Sequence, residues 1–157
     1  MKVTLINVGV TQDTYLKDGI AIFEKRLSRY ISFEMINLNE PRNLRNQPEI
    51  VQKETEGKMI LSALEKTDRP VLLDVSGKQM NSEKFSQYMQ LSMNSSIKNL
   101  GFITGGPYGF SDEIYRIVKE RISLSSMTFS HQMIRLIFME QLYRAFTILK
   151  GEPYHHA

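Results

Sequence analysis

Apolar and polar positions change period repeatedly along this chain. "KVTLINVG" (2–9) is a β-branched and apolar run closed by a glycine, which predicts a strand. "DTYLKDGIAIFEKRLSRY" (13–30) places Tyr15, Leu16, Ile20, Ile22, Phe23 and Leu27 near helical spacing. "SFEMINLN" (32–39) alternates, with Phe33, Met35 and Asn37 on one side and Glu34, Ile36 and Leu38 on the other. That pattern predicts a strand with two partly covered faces. "EPRNLRNQPE" (40–49) is polar with two prolines and reads as a mobile loop. Pro48 opens a helical pattern over 48–66 through Ile50, Val51, Met59, Ile60, Ala63 and Leu64.

The second half continues the alternation. "VLLDV" (71–75) is an apolar run broken by one Asp, as in a strand covered on both faces. The segment 81–93 opens on a capping Asn81 or Ser82 and predicts a helix with Phe85, Met89 and Leu91 or Met93 inward. "LGFIT" (100–104) is a short strand. Over 111–120, Ser111 caps a helix whose first turn carries Asp112 and Glu113, favourable at the positive end of its dipole. "RISLSSMTFSH" (121–131) starts as a strand and becomes a Ser/Thr-rich loop. The longest helical pattern spans 129–151, stopped by Gly151 with Pro153 beyond.

Strands alternating with helices predict an α/β domain over 1–157, a mostly parallel sheet with helices on both faces. In such sheets ligands sit beyond the carboxyl ends of the strands. Three loops rich in small residues fall there: "DVSGK", "TGGPYG" and "SLSSMT". Gly105, Gly106 and Gly109 match neither a dinucleotide fingerprint nor a P-loop. A plain turn and a close approach of ligand to main chain both fit them.

The last helix is apolar around nearly its whole circumference, from Met133 to Leu149, so it is buried on all sides. In a chain this short, one side is expected on its own sheet and another on a second copy, giving a two-fold homodimer. Its few polar residues pair by spacing: His131 with Arg135, and Glu140 with Arg144 in the favourable order. Glu140–Arg144 reads as a structural ion pair, or Arg144 as a clamp for phosphate or carboxylate. His131 reads either as a packing residue or as a chemical one, and His155 sits in the tail "EPYHHA".

Composition narrows the chemistry. The chain has 157 residues, no cysteine and a formal net charge of +3. Disulfides, thiolate zinc sites and cysteine nucleophiles are excluded, and a reducing cytoplasm is the expected location. The modest charge permits nucleic-acid binding without arguing for it. The first ten residues, "MKVTLINVGV", read as a strand rather than a leader, and no membrane span is expected.

Taken together, "LLDVSGK", "FITGGPYGFS" and "ISLSSMTFSHQMIRLIFMEQLYRAFTILKGEPYHH", in this order and spacing, resemble one family over the entire chain. It is the RlmH family of bacterial 23S ribosomal RNA pseudouridine-N3 methyltransferases, within the SPOUT (trefoil-knot) superfamily. The resemblance implies a C-terminal knot, a homodimer through the last helix, and S-adenosylmethionine as cofactor without any metal. It places Leu73, Gly105, Gly106, Leu124, Ser125, Ser126, Met127, Thr128 and Phe129 on cofactor loops. It implies 23S ribosomal RNA in the large subunit or assembled ribosome as partner. Tyr154 and His155 are expected over the site, with His131 or His155 taking a proton and Arg135 and Arg144 touching phosphate or base. Arg42 and Arg45, on the polar loop, are expected either in solvent or against RNA. Ser130 stands where the family usually has Pro, and a helix-capping role is expected for it. The competing readings are a ribosome-associated factor without catalysis and an enzyme of another adenine nucleotide.

Overall fold

The computed structural model describes residues 1–156. Its elements are β1 (Lys2–Val8), α1 (Thr14–Leu27), β2 (Ser32–Leu38), α2 (Glu49–Leu64), β3 (Arg69–Gln79), α3 (Ser82–Met93), β4 (Asn99–Thr104), α4 (Asp112–Ile117), β5 (Arg121–Ser123) and α5 (Met133–Lys150). The five strands form one sheet in the order β2-β1-β4-β3-β5. Every pairing is parallel, so the expected mostly parallel sheet is parallel throughout.

The period of two along each strand sorts the core into two layers. Val3, Leu5, Val71, Leu73, Leu100 and Phe102 pack under α1, α3 and α5, against Leu27, Met89 and Phe138. Ile6, Val8, Leu72 and Ile103 face the other way, onto Ile60 of α2 and Ile114 of α4. Central strands buried on both faces read as continuous apolar runs for this reason. Within one chain, α1 and α3 flank α5, which accounts for much of the apolar circumference of that helix. Ile134, Ile137, Gln141, Arg144 and Ile148 stay partly open on a single face of it.

Three differences from the sequence pattern have local causes. α5 starts at Met133 because Ser130 intervenes: its Oγ accepts from the Met133 amide at 3.1 Å and its carbonyl from the Ile134 amide at 3.1 Å. Ser130 thus caps, as expected of a Ser in that place. α4 stops at Ile117 because Val118 is extended (φ −96°, ψ 105°) and leads directly into β5. The polar segment 40–49 is not a free loop. Leu44 is buried within a single 3-10 turn (Leu44–Asn46), and Arg45 donates to Glu56 of α2 at 2.7 Å and to Gln52 at 2.9 Å. Arg45 therefore faces its own chain.

One irregularity shapes the site. Ile122 of β5 pairs with Leu73 and again with Lys78, so the intervening residues 74–77 of β3 loop outward as a bulge. Gly77 lets β3 return to β5, since a Cβ there would lie 2.6 Å from the Ile122 backbone.

Candidate active site

The bulge of β3, the turn after β4 and the loop after β5 enclose a cavity of about 770 Å³. It lies beyond the carboxyl ends of those strands, where an open parallel sheet binds ligands. Its volume falls within the range of small-molecule sites, roughly 300–1,000 Å³.

The glycine turn is built by hydrogen bonds and packing. Gly109 N donates to Gly106 O at 3.1 Å, with Pro107 at the second turn position and Gly109 at φ 78°. A Cβ at Gly105 would meet the Gly109 backbone at 3.3 Å. One at Gly106 would lie 2.4 Å from both carboxylate oxygens of Glu56. The space each glycine leaves is thus filled by protein. That packing accounts for the glycines as a tight turn, and the turn lines the cavity.

The third wall orders itself by its own serines. Ser123 Oγ donates to the Ser125 carbonyl at 2.8 Å, and Ser125 Oγ accepts from the Met127 amide at 2.9 Å. Of the residues expected on cofactor loops, Leu73, Gly105, Gly106, Leu124, Ser125, Met127, Thr128 and Phe129 all line the cavity. Ser126 lies in the same loop but not on the lining.

Asp74, Tyr115 and Arg121 form a polar corner that sequence reasoning missed. Tyr115 Oη donates to Asp74 Oδ2 at 2.7 Å, and the Arg121 guanidinium lies 4.3 Å from the Tyr115 ring centre. Burial alone would raise the Asp74 pKa, but hydrogen bonds from Ser76 and Tyr115 and the charge of Arg121 hold it below its usual value. Tyr115 is pushed up to about 12 by burial and by Asp74. The one available signal was the Asp breaking "VLLDV". Tyr108, to which the sequence assigned no role, also lines the cavity.

His131 sits where this cavity meets a second one of about 430 Å³, lined also by Gln12, Asn39, Arg45 and Gln132. Pro107 is the other residue common to both. Burial first, then the positive charges of Arg135 and Arg45, pushes the His131 pKa below its ordinary value. Its imidazole is therefore neutral at pH 7 and can accept a proton.

The remaining candidates lie elsewhere. Arg135 is fully buried and corrects its expected role as a nucleic-acid contact. Its guanidinium donates to the Val8 carbonyl at 2.6 Å and to Thr11 Oγ1 at 2.9 Å, tying α5 to the end of β1. Burial pushes its pKa down to about 10, so it stays charged at neutral pH. Arg144, Tyr154 and His155 gather at the other end of α5, and none lines the cavity of its own chain. Arg144 pairs with Glu140, Tyr154 Oη donates to Glu140 at 3.1 Å, and His155 Nε2 lies 2.9 Å from Glu83. Among the described residues, no group of three or more His, Asp or Glu side chains could hold a metal ion, and no helix is long and apolar enough to cross a membrane.

Comparisons with known proteins agree with this architecture. Probable methyltransferase from Bordetella pertussis superposes with a TM-score of 0.58 at 8% identity, over 92% of this chain and 95% of that one. A tRNA (m1G37) methyltransferase from Aquifex aeolicus superposes with a TM-score of 0.56 at 13% identity, over 100% of this chain and 75% of that one. These likenesses show a shared fold. Ribosomal RNA large subunit methyltransferase H of Flavobacterium psychrophilum is 52% identical over 99% of both chains. The protein of the same name from Christiangramia forsetii is 51% identical, again over 99% of each. The family model described as "Predicted SPOUT methyltransferase" matches residues 1–155. With a parallel sheet, a cavity at its carboxyl edge and full-length relatives at half identity, the chain belongs to the SPOUT methyltransferase family.

Proposed function

We propose that this protein transfers a methyl group from S-adenosylmethionine to N3 of a pseudouridine in 23S ribosomal RNA, acting in the cytoplasm on assembled ribosomes. The observation that carries the reading is His131, a neutral imidazole on the wall shared by two adjoining cavities. One cavity holds the methyl donor and the other admits the acceptor base.

The first cavity suits S-adenosylmethionine in size and lining. The main chain of Gly105 and Gly106 gives an adenine edge and a ribose a wall free of side chains. Leu73, Leu124, Met127 and Phe129 supply apolar surface, and Asp74 a negative charge. Ser125, Ser126 and Thr128 shape the loop around it. When bound, the cofactor supplies an electrophilic methyl on a sulfonium. His131 accepts the proton that leaves N3 as the new carbon–nitrogen bond forms, and holding both reactants in line supplies much of the remaining acceleration.

The active form is a homodimer whose chain is knotted at its C-terminal end. The partly open stripe of α5, with Ile134, Ile137 and Ile148, is the face that meets the second copy. Val75 and Met127, 64% and 75% exposed at the cavity rim, are covered by the same contact. A two-fold axis across α5 brings the carboxyl end of one copy toward the amino end of the other. Tyr154, His155 and Arg144 then serve the neighbouring cavity, holding the nucleotide from above.

Two measurements test this. Calorimetric titration detects one S-adenosylmethionine site per chain; no binding favours a non-catalytic ribosome-associated factor. Labelled methyl groups pass to ribosomes lacking the modification and not to naked ribosomal RNA; equal labelling of both sinks the assembled substrate. Mass spectrometry of ribosomal RNA from cells lacking the gene then identifies the nucleotide.

A further inference from the structure

Glu56 is a carboxylate buried deep in the molecule, 2% exposed, on a helix that does not line the cavity. Both its oxygens would lie 2.4 Å from a Cβ at Gly106. No side chain fits at 106 while Glu56 stays in place. On its other side Arg45 Nη1 donates to Glu56 at 2.7 Å, and Arg45 also pairs with Glu40 and Gln52. Gln52 Nε2 in turn donates to the Gln47 carbonyl at 2.7 Å, closing the 3-10 turn against α2.

We infer that Glu56 is a positioning residue for the methyl donor, pressing the Gly106 main chain into the shape that forms the cavity wall. The inference rests on S-adenosylmethionine as the occupant of that cavity.

The placement is costly in stability, which argues that it serves something else. Burial pushes the Glu56 pKa above its ordinary value, against the opposing effects of Arg45 and the Gly106 amide. A carboxyl whose folded pKa is raised binds more protons in the folded than in the unfolded state, so stability falls as pH rises above 4.5. At neutral pH the charged group opposes folding. An apolar residue or glutamine there would relieve that cost, as replacement of buried charges often does. The carboxyl group holds Arg45 at 2.7 Å on one side and abuts the Gly106 main chain on the other, so one side chain fixes both.

The test uses the full chain with Glu56→Ala and Glu56→Gln, reading two quantities. One is the dissociation constant for S-adenosylmethionine by calorimetry. The other is the exchange rate of the Gly106 amide proton by NMR without cofactor. Glu56→Ala is expected to raise both at least tenfold. Glu56→Gln, which keeps one acceptor oxygen in place, is expected to recover both to within about threefold of the parent, with an unchanged or higher thermal midpoint. A purely structural role would move the midpoint and leave the affinity of the folded protein alone. The inference is overturned if either quantity in Glu56→Ala stays within twofold of the parent. Should Glu56→Ala not fold, Gly106→Ala reads the same contact from the other side. Its methyl against the carboxylate must raise both quantities at least tenfold, or the inference fails. A parent that binds no S-adenosylmethionine removes the cofactor reading and this one together. A parent that binds, with an unaltered Glu56→Ala, removes this one alone.

Discussion

The two ends of α5 carry similar side chains in opposite circumstances. At the amino end, His131 borders open space, with no hydrogen-bonded partner among the described residues and a pKa lowered by burial and nearby cations. At the carboxyl end, His155 touches Glu83 at 2.9 Å, and Arg144 is paired with Glu140 and stacked 4.8 Å from the Tyr154 ring. One end keeps a titratable group unpaired beside a cavity, and the other pairs Arg144 with Glu140 and His155 with Glu83. Perturbed groups facing a cleft mark chemistry, whereas paired charges on a helix mark structure until a ligand or second chain displaces them. Arg135, between them, shows a third outcome: a cation buried to fasten α5 to β1.

The comparison can be broken most sharply at the glycine turn. Gly105→Val sets branched carbons against the Gly109 backbone, already 3.3 Å from a bare Cβ. S-adenosylmethionine affinity is expected to fall by more than about 100-fold, roughly 3 kcal/mol, while gel filtration gives the same elution volume as the parent. Wild-type affinity would return the glycines to a plain turn.

His131→Ala comes next. Loss of a general base lowers kcat by about 10²-fold or more, with cofactor binding nearly unchanged. If His131 is the base, the parent's rate is expected to show an acid limb below pH 6.5, because the folded His131 pKa is lowered from that value and protonation removes the base. The variant lacks this limb. A pH profile of methyl transfer that keeps it moves the base to another residue.

Arg135→Met separates fastening from recognition. Val8 and Thr11 lose their donor in a buried setting, and denaturant titration should show about 2 kcal/mol less stability. The salt dependence of ribosome binding should stay unchanged, because Arg135 reaches no phosphate.

The smallest effect belongs to the carboxyl end. Replacing Glu140 and Arg144 singly and together should give a coupling of about 0.5 kcal/mol in folding stability, as for helix ion pairs. Methyl transfer should fall far more than that coupling implies if the tail serves a second copy's site. An unchanged rate would leave these residues purely structural.

Much of the fold was legible because periodicity reports burial directly. The continuous apolar run over Val3, Leu5, Ile6 and Val8 and the run "VLLDV", broken only by Asp74, each follow from helices on both faces of one sheet. The three loops at the carboxyl edge of the sheet were legible because small residues after strands mark where backbone must turn. Arg135 was not legible: its spacing from His131 puts it on a helix face but says nothing of what that face meets. Glu56 is one of two acids in "QKETEGK", and nothing in the sequence singles it out. Only the packing of α2 beneath the turn sets it against Gly106.

The amino-acid order by itself determined the succession of strands and helices, the cap at Ser111, a cap at Asn81 or Ser82, and the sites of the three loops. These depend on interactions within a few residues, which sequence encodes locally. Tertiary structure alone decided which charges are buried, which histidine faces a cavity, and that β3 bulges at 74–77 to make a wall. Those outcomes depend on contacts between residues tens of positions apart, and desolvation, which sets their energies, exists only once the chain has closed around them.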